Sequence, residues 1–194
     1  MPYQFRLPKP FAVWFLASAL MGGFILVSGF CRAETIIKQP GNHPHYSVEL
    51  EPHLILGWAS IDTNDPFPRN FDLNRNASFG PGLRIGIPLV TNGFVQSINN
   101  GVALGLGIDM AHYGPSSNVI WLPVVMQWNF YIADAITVFG EPGGALRTAT
   151  SHGQTEWHID GVMQAGAKFM FTRQVGLTIR AGYPYFSAGL TFLL

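Results

Sequence analysis

The sequence predicts an all-β fold, an eight-stranded antiparallel up-and-down transmembrane β-barrel. Three observations support this prediction: apolar and polar residues alternate in eight segments, the polar side of each segment is rich in small residues, and turn-forming residues separate the segments. Side chains alternate between the two faces of a strand, so this pattern gives each segment one apolar and one polar face. After residue 33, no long amphipathic-helix pattern interrupts the series.

The first predicted strand shows the alternation over residues 46–58. Its even positions carry the apolar side chains Tyr46, Val48, Leu50, Pro52, Leu54, Leu56 and Trp58, and its odd positions include Ser47, Glu49, Glu51, His53 and Gly57. The pattern returns in further segments around residues 79–89, 102–110, 119–131, 136–147, 157–169, 175–181 and 185–194. Most segments are close to the ~9–11 residues that a tilted strand needs to cross a bilayer.

The less apolar face distinguishes a membrane barrel from a soluble one. A soluble sandwich would turn a strongly polar face to solvent, whereas here this face holds mostly Gly, Ala, Ser and Thr with single charges. Small side chains suit the narrow interior of a barrel. Trp58, Trp128 and Trp157 fall near strand ends, as in the aromatic girdles at membrane interfaces.

The connections alternate in length. Long or polar stretches follow the first, third and fifth strands (59–77, 113–118 and 148–156), while 133–135 and 172–174 are short turns. Long outer loops and short periplasmic turns are typical of outer-membrane barrels. Two connections depart from this pattern, because 91–100 is long for a periplasmic turn and 182–184 is very tight.

The N-terminal segment has the three parts of a secretory signal peptide. Arg6 and Lys9 precede an apolar run over residues 11–30, and Cys31 and Ala33 supply small residues for cleavage after Ala33. An uncleaved membrane anchor is the alternative interpretation. The predicted organisation is therefore a signal peptide (1–33), a periplasmic lead segment (34–45) and the transmembrane barrel (46–194).

Composition narrows the classes of function. Lipidation of Cys31, the single cysteine, is disfavoured because the bulky Phe30 precedes it. Three of the 11 basic residues lie before residue 34 and all 11 acids follow it, so the mature net charge is −3 with neutral histidines. Charged residues make up 11% of the chain, against about a quarter in typical soluble proteins. The sequence shows no cluster of basic residues of the kind that nucleic-acid-binding proteins use.

The predicted inward face collects five acids and four bases, while no strand charge falls on the lipid face. These inward charges are Glu49, Glu51, Arg84, Asp109, Glu141, Arg147, Asp160, Lys168 and Arg180. A one-residue slip would expose a charge to lipid, which costs ~2–4 kcal/mol for a basic residue in mid-bilayer. Because an unpaired buried charge destabilises by ~3–5 kcal/mol, the charges are expected to pair and plug the interior.

The last strand, Phe186-Ser187-Ala188-Gly189-Leu190-Thr191-Phe192-Leu193-Leu194, is the most specific segment. With the other strands over residues 46–194, it resembles the small eight-stranded outer-membrane barrel superfamily, which includes OmpA-type and OmpX-type barrels. The resemblance implies a bacterial outer-membrane location, with membrane lipid and the barrel-assembly machinery as partners. It also implies an assembly signal at Phe186, Leu190, Phe192 and Leu194, although the family normally ends in an aromatic residue and Leu194 does not.

The function expected by default is non-enzymatic, a structural or surface-binding role through the outer loops. The loop over 59–77 carries Phe67, Arg69, Phe71 and Arg75 as potential contacts, but it specifies no ligand. A small pore is one alternative. A deacylase-like enzyme acting on outer-membrane lipid is another, for which the candidate groups are His112, Ser116, Ser117, Ser151 and His152.

No cofactor or metal site is predicted. His43 and His45 could contact a metal, but no further ligands lie nearby and a solvated tail is the simpler interpretation. The glycine-rich stretch 101–107 has a strand pattern and is not a nucleotide-binding loop. Trp121 and Trp128 could form a partner surface, and lipid contact accounts for them more simply.

Overall fold

The computed structural model describes residues 34–57, 78–112, 117–151 and 154–194, so the predicted signal peptide and the whole 59–77 loop lie outside the described residues. The strands are β1 Glu49–Gly57, β2 Ser78–Val90, β3 Asn100–His112, β4 Ser117–Ala133, β5 Ile136–Ser151, β6 Gln154–Met170, β7 Val175–Tyr183 and β8 Tyr185–Leu193. Each strand pairs antiparallel with the next, and β1 pairs with β8 to close the barrel. The predicted eight-stranded up-and-down barrel is confirmed.

The outer surface of the barrel is apolar. Outward side chains from several strands are strongly exposed, among them Leu54 at 69%, Phe79 at 69% and Val124 at 53%. On β2 the exposed apolar side chains run from Phe79 to Leu89. At ~3.3 Å per residue and a strand tilt of ~40°, this stretch rises by ~25 Å, the height of the apolar band on outer-membrane barrels.

Both described chain ends lie at one end of the barrel, which we call the terminal end. It also carries the connections 91–99, 134–135 and 171–174. At the opposite end, the loop end, lie Pro184 and the strand residues that flank 58–77, 113–116 and 152–153. In the part of the chain that the structure describes, no helix is long and apolar enough to cross a membrane.

The predicted polar loop over 148–156 is wrong. Strand β5 continues to Ser151 and β6 starts at Gln154, so only two residues connect them. The Thr and Ser side chains in this stretch favour extended backbone, and Thr150 pairs directly with Thr155. The polar residues in this stretch belong to the ends of two strands that extend beyond the apolar band, and they do not form a loop.

The lead segment is not a solvated tail. Ile36 is only 3% exposed, and its N–H donates to the carbonyl of Ile132 at 3.0 Å. The imidazole of His43 stacks on the Tyr131 ring, with 4.2 Å between the ring centroids. Because these contacts hold the segment across the terminal end, β1 begins at Glu49 and not at residue 46.

The long connection between β2 and β3 is part of the same arrangement. Asn99 donates its backbone N–H to the carbonyl of Ile37 at 2.6 Å and its side-chain amide to the carbonyl of Asn42 at 2.7 Å. His43 Nε2 lies 2.8 Å from the carbonyl oxygen of Thr91. The connection is long because it binds the lead segment as well as reversing the chain.

An apolar cluster fills the barrel interior toward the loop end. Its members are Ile55, Ala111, Val119, Trp121, Val125, Ala145, Val162 and Tyr185. Trp121 is 1% exposed and packs edge-on against Tyr185, so its assignment to lipid contact is wrong. Both faces of β4 are apolar in this region, and only Gln127 and Asn129 further along the strand indicate which positions point inward.

Candidate functional site

The charged interior is the most organised polar feature of the barrel. None of its nine charged residues is more than 8% exposed, and they come from six strands: Glu49 and Glu51 on β1, Arg84 on β2, Asp109 on β3, Glu141 and Arg147 on β5, Asp160 and Lys168 on β6, and Arg180 on β7. We call this set the interior charges.

Arg180 lies at the centre and is fully buried. Its guanidinium donates to both carboxylate oxygens of Glu51, at 2.6 and 3.0 Å. It also donates to both oxygens of Glu141, at 2.7 and 3.2 Å. One arginine therefore holds two carboxylates in a planar, two-sided arrangement, the geometry in which charge-assisted hydrogen bonds are strongest.

Arg84 extends this centre towards β3. It donates to Glu141 Oε2 at 3.1 Å and to Asp109 Oδ2 at 3.3 Å, so Glu141 bridges the two arginines. The hydroxyl of Tyr185 accepts from Arg84 at 3.1 Å and itself donates to Asp109. The second oxygen of Asp109 faces His53 Nε2 at 2.9 Å.

A lysine connects the centre to the terminal end. The Nζ of Lys168 donates to Glu49 Oε2 at 2.6 Å and to the side-chain oxygen of Gln127 at 3.0 Å. Gln127 in turn donates to Glu141 Oε1 at 2.7 Å. The Arg147–Asp160 pair, with 3.0 Å between Arg147 Nε and Asp160 Oδ2, lies towards the loop end.

Three participants were not among the predicted site residues: His53, Gln127 and Tyr185. The sequence held a signal for each, because His53 shares the inward face of β1 with Glu51, and Gln127 and Tyr185 lie on the inward faces of β4 and β8. A count of formally charged side chains omits all three, because glutamine and tyrosine are neutral and histidine is counted as neutral.

The glycines beside His53 are required for space. Gly82 on β2 and Gly189 on β8 are its direct partners across the two neighbouring strands. A Cβ at Gly82 would lie 2.2 Å from His53 Nε2, and one at Gly189 would lie 2.4 Å from both His53 Cβ and the carbonyl oxygen of Pro52. Both strands therefore leave a gap for the imidazole.

Gly189→Ala is expected to lower the free energy of unfolding by ~1–3 kcal/mol, because the added methyl group overpacks a closed interior. The measurement is urea unfolding of the detergent-folded barrel. Gly140→Ala is the matched control, since a Cβ there meets nothing within 4 Å. Equal stability of the two variants would contradict the tight packing around His53.

A cavity of about 850 Å³ opens at the terminal end. The lead segment and two turns line it, and its ionisable side chains include His43, His45, Tyr46, Asp134 and Arg173. Burial, and then the nearby Glu49 carboxylate, raise the pKa of Tyr46 at its inner wall. Across the described ranges, no group of three or more His, Cys, Asp or Glu side chains could hold a metal ion.

The loop end presents an unpaired strand edge. Strand β6 pairs with β5 from Gln154 onward, but its pairing with β7 starts only at Met163. Residues 154–162, the β6 edge, therefore have a strand partner on one side only among the described residues. Trp157 and Ile159 on this edge are 62% and 85% exposed.

The remaining predicted site residues are dispersed. Phe186, Leu190, Phe192 and Leu194 lie on the outward face of β8 and its end, with Leu190 45% and Leu194 65% exposed. Of the deacylase candidates, His112 is the last residue of β3 and contacts Asn118 of β4. Ser117 is the first residue of β4, and Ser151 is the last residue of β5. Ser116, His152 and the aromatic and basic residues of the 59–77 loop lie outside the described residues.

Comparison with known proteins gives likenesses among solved structures only. No family model and no curated protein matches the sequence. Among solved structures, the attachment invasion locus protein of Yersinia pestis is similar, with 15% sequence identity, a TM-score of 0.44, and coverage of 77% of this chain and 99% of that one. The chain has the fold of the small eight-stranded barrels. This assignment rests on the pairing of its own strands.

Proposed function

We propose that the chain is a bacterial outer-membrane barrel with a plugged, charge-paired interior, exported with cleavage after Ala33. One observation carries the proposal: the barrel is apolar outside and charged inside, the reverse of a soluble protein. A soluble barrel would have to keep Leu54, Phe79 and Val124 in water, whereas lipid accommodates them. Membrane lipid and the barrel-assembly machinery are the partners that this location supplies.

Electrophoresis of the membrane-extracted protein, heated and unheated, tests this proposal together with N-terminal sequencing of the same band. We expect a heat-modifiable band that begins at Glu34, because a closed barrel in detergent stays folded until it is heated. A heat-indifferent band, or one that still begins at Met1, would favour an anchored soluble domain instead.

The interior charges favour a scaffold over a pore or an enzyme. Glu49, Glu51 and Glu141 each contact a basic side chain, and an eight-stranded barrel leaves room for little beyond its own side chains. We expect no stable conductance in planar bilayers. Lipid hydrolysis that disappears on replacing His112 would revive the deacylase alternative.

The loop end is the surface we propose for partner binding, and the β6 edge is the observation that favours it. A strand edge presents unpaired backbone N–H and C=O groups, so an extended segment of another protein can add to it as a further strand. At ~3.3 Å per residue, the edge offers ~27 Å of backbone. The exposed Trp157 and Ile159 would supply apolar contacts along it.

Trp157→Lys is expected to weaken strand addition at this edge at least tenfold, because lysine on an edge strand opposes pairing and the apolar contact is lost. The probe is a labelled peptide copying residues 145–151 of β5, an extended sequence that pairs antiparallel with residues 154–160 of β6 on the occupied side. Binding to the detergent-folded protein is followed by fluorescence anisotropy.

Thr148→Lys is the matched control. Thr148 lies directly opposite Trp157 in the β5–β6 pairing but on a strand that has partners on both sides. Its replacement should leave peptide binding unchanged. Equal weakening by both variants would indicate a charge effect rather than edge pairing, and no binding to the unaltered protein would leave the loops as the binding surface.

A further inference from the structure

The interior charges do not balance if histidine is neutral. Among the described residues, the buried set contains five carboxylates and only four permanently basic side chains. One negative charge would then stay uncompensated inside the barrel, where a buried charge without a partner is strongly destabilising. Among the described residues, a fifth cation beside the carboxylates would restore the balance.

His53 is placed to be that cation. Its Nε2 lies 2.9 Å from Asp109 Oδ1, and its Nδ1 lies 3.1 Å from the carbonyl oxygen of Glu51 and 3.6 Å from Glu51 Oε1. A carbonyl and a carboxylate oxygen are both acceptors. A neutral imidazole would turn one lone pair towards an acceptor, whereas an imidazolium donates from both nitrogens.

In the contacts that the described residues make with the ring, both nitrogens face acceptors. The titratable groups beside it are Glu51 on its own strand and Asp109 on β3. Arg84 of β2 and Tyr185 of β8 bind the far oxygen of Asp109, and Arg180 of β7 binds both oxygens of Glu51. Because Arg84 and Tyr185 donate to Asp109, that carboxylate is held as the anion and can accept from His53. The β2 and β8 neighbours of His53 itself, Gly82 and Gly189, contribute no side chain.

We propose that His53 is held as a doubly protonated imidazolium, the fifth interior cation. With it, the described part of the interior contains five carboxylates and five cations. The proposal concerns the folded barrel itself and does not depend on surface binding.

The state of the two ring nitrogens tests the proposal directly. The full mature chain is labelled with ¹⁵N-histidine, folded in detergent and examined by NMR at neutral pH, with the His53 signal assigned through its loss in His53→Gln. We expect a proton on both ring nitrogens of His53. A nitrogen with a free lone pair would overturn the proposal.

Stability gives a second readout. His53→Gln should lower the free energy of unfolding in urea more than His45→Gln, at an exposed histidine, because only the first removes a buried cation from beside the carboxylates. Equal stability of the two variants would overturn the proposal. If that variant does not fold, replacing the other histidines one at a time assigns the His53 signal by elimination, and the nitrogen states decide.

Discussion

Arg180→Met is expected to lower the free energy of unfolding by ~3–5 kcal/mol, the largest loss among single substitutions of the interior charges. Methionine fills a similar volume, so the effect reports charge rather than a cavity. Without Arg180, Glu141 keeps Arg84, but Glu51 is left with His53 Nδ1, 3.6 Å from its Oε1, as its basic neighbour among the described residues. The measurement is urea unfolding of the detergent-folded barrel, followed by tryptophan fluorescence and by heat-modifiable mobility.

Arg173→Met is the control for this substitution. Arg173 lies exposed in the β6–β7 turn, and surface changes of this kind stay within ~0.5 kcal/mol. A double variant, Arg180→Met with Glu51→Gln, should lose less stability than the two single variants together, because it removes the stranded carboxylate. Strict additivity, or an Arg180→Met barrel as stable as the control, would contradict the pairing as a source of stability.

Val124→Arg is expected to lower the free energy of unfolding in lipid by ~2–4 kcal/mol, which is the depth-dependent penalty for a basic residue at the bilayer midplane. Val124 is 53% exposed, lies midway along β4 and pairs with Leu106 near the middle of β3. The measurement is reversible urea unfolding in phosphatidylcholine vesicles.

Thr155→Arg supplies the comparison for this change. Thr155 shares the outward face of β6 with Trp157, but it lies beside the loop-end connection, beyond the apolar band. The same charge there should alter stability by less than ~1 kcal/mol, as for positions near the interface. Equal penalties at the two positions would contradict a lipid-facing band centred near Val124.

The fold could be predicted because strand alternation is a local property of the sequence. Each segment shows its two faces without reference to the rest of the chain, and the closed barrel follows from eight such segments in a row. The prediction failed where this local signal is absent. Residues 119–126 are apolar on both faces, so the pattern does not show that Trp121 points inward. The Thr-rich stretch 148–156 has the polarity of a loop although it continues two strands.

Which interior charges contact each other could not be read from the sequence. The contacts are decided by barrel closure and by the register between strands, and they join distant parts of the chain. Arg180 and Glu51 are 129 residues apart, and Lys168 and Glu49 are 119 apart. Alternation assigns a charge to a face, but only the closed barrel determines its height and its partner. The role of His53 stayed hidden for a related reason, because its neighbours come from β3 and from two glycine-bearing strands.

The ladder between β1 and β8 has a kinetic consequence. Every other ladder joins strands that follow each other along the chain, while this one brings Glu49 opposite Leu193. Hairpins between consecutive strands form on microsecond timescales, whereas non-local pairing must first overcome the entropy of a much longer loop. We therefore expect the meeting of the first and last strands to be the slow event in assembly. Substitutions along this seam should change the folding rate more than equally destabilising ones in the β5–β6 hairpin.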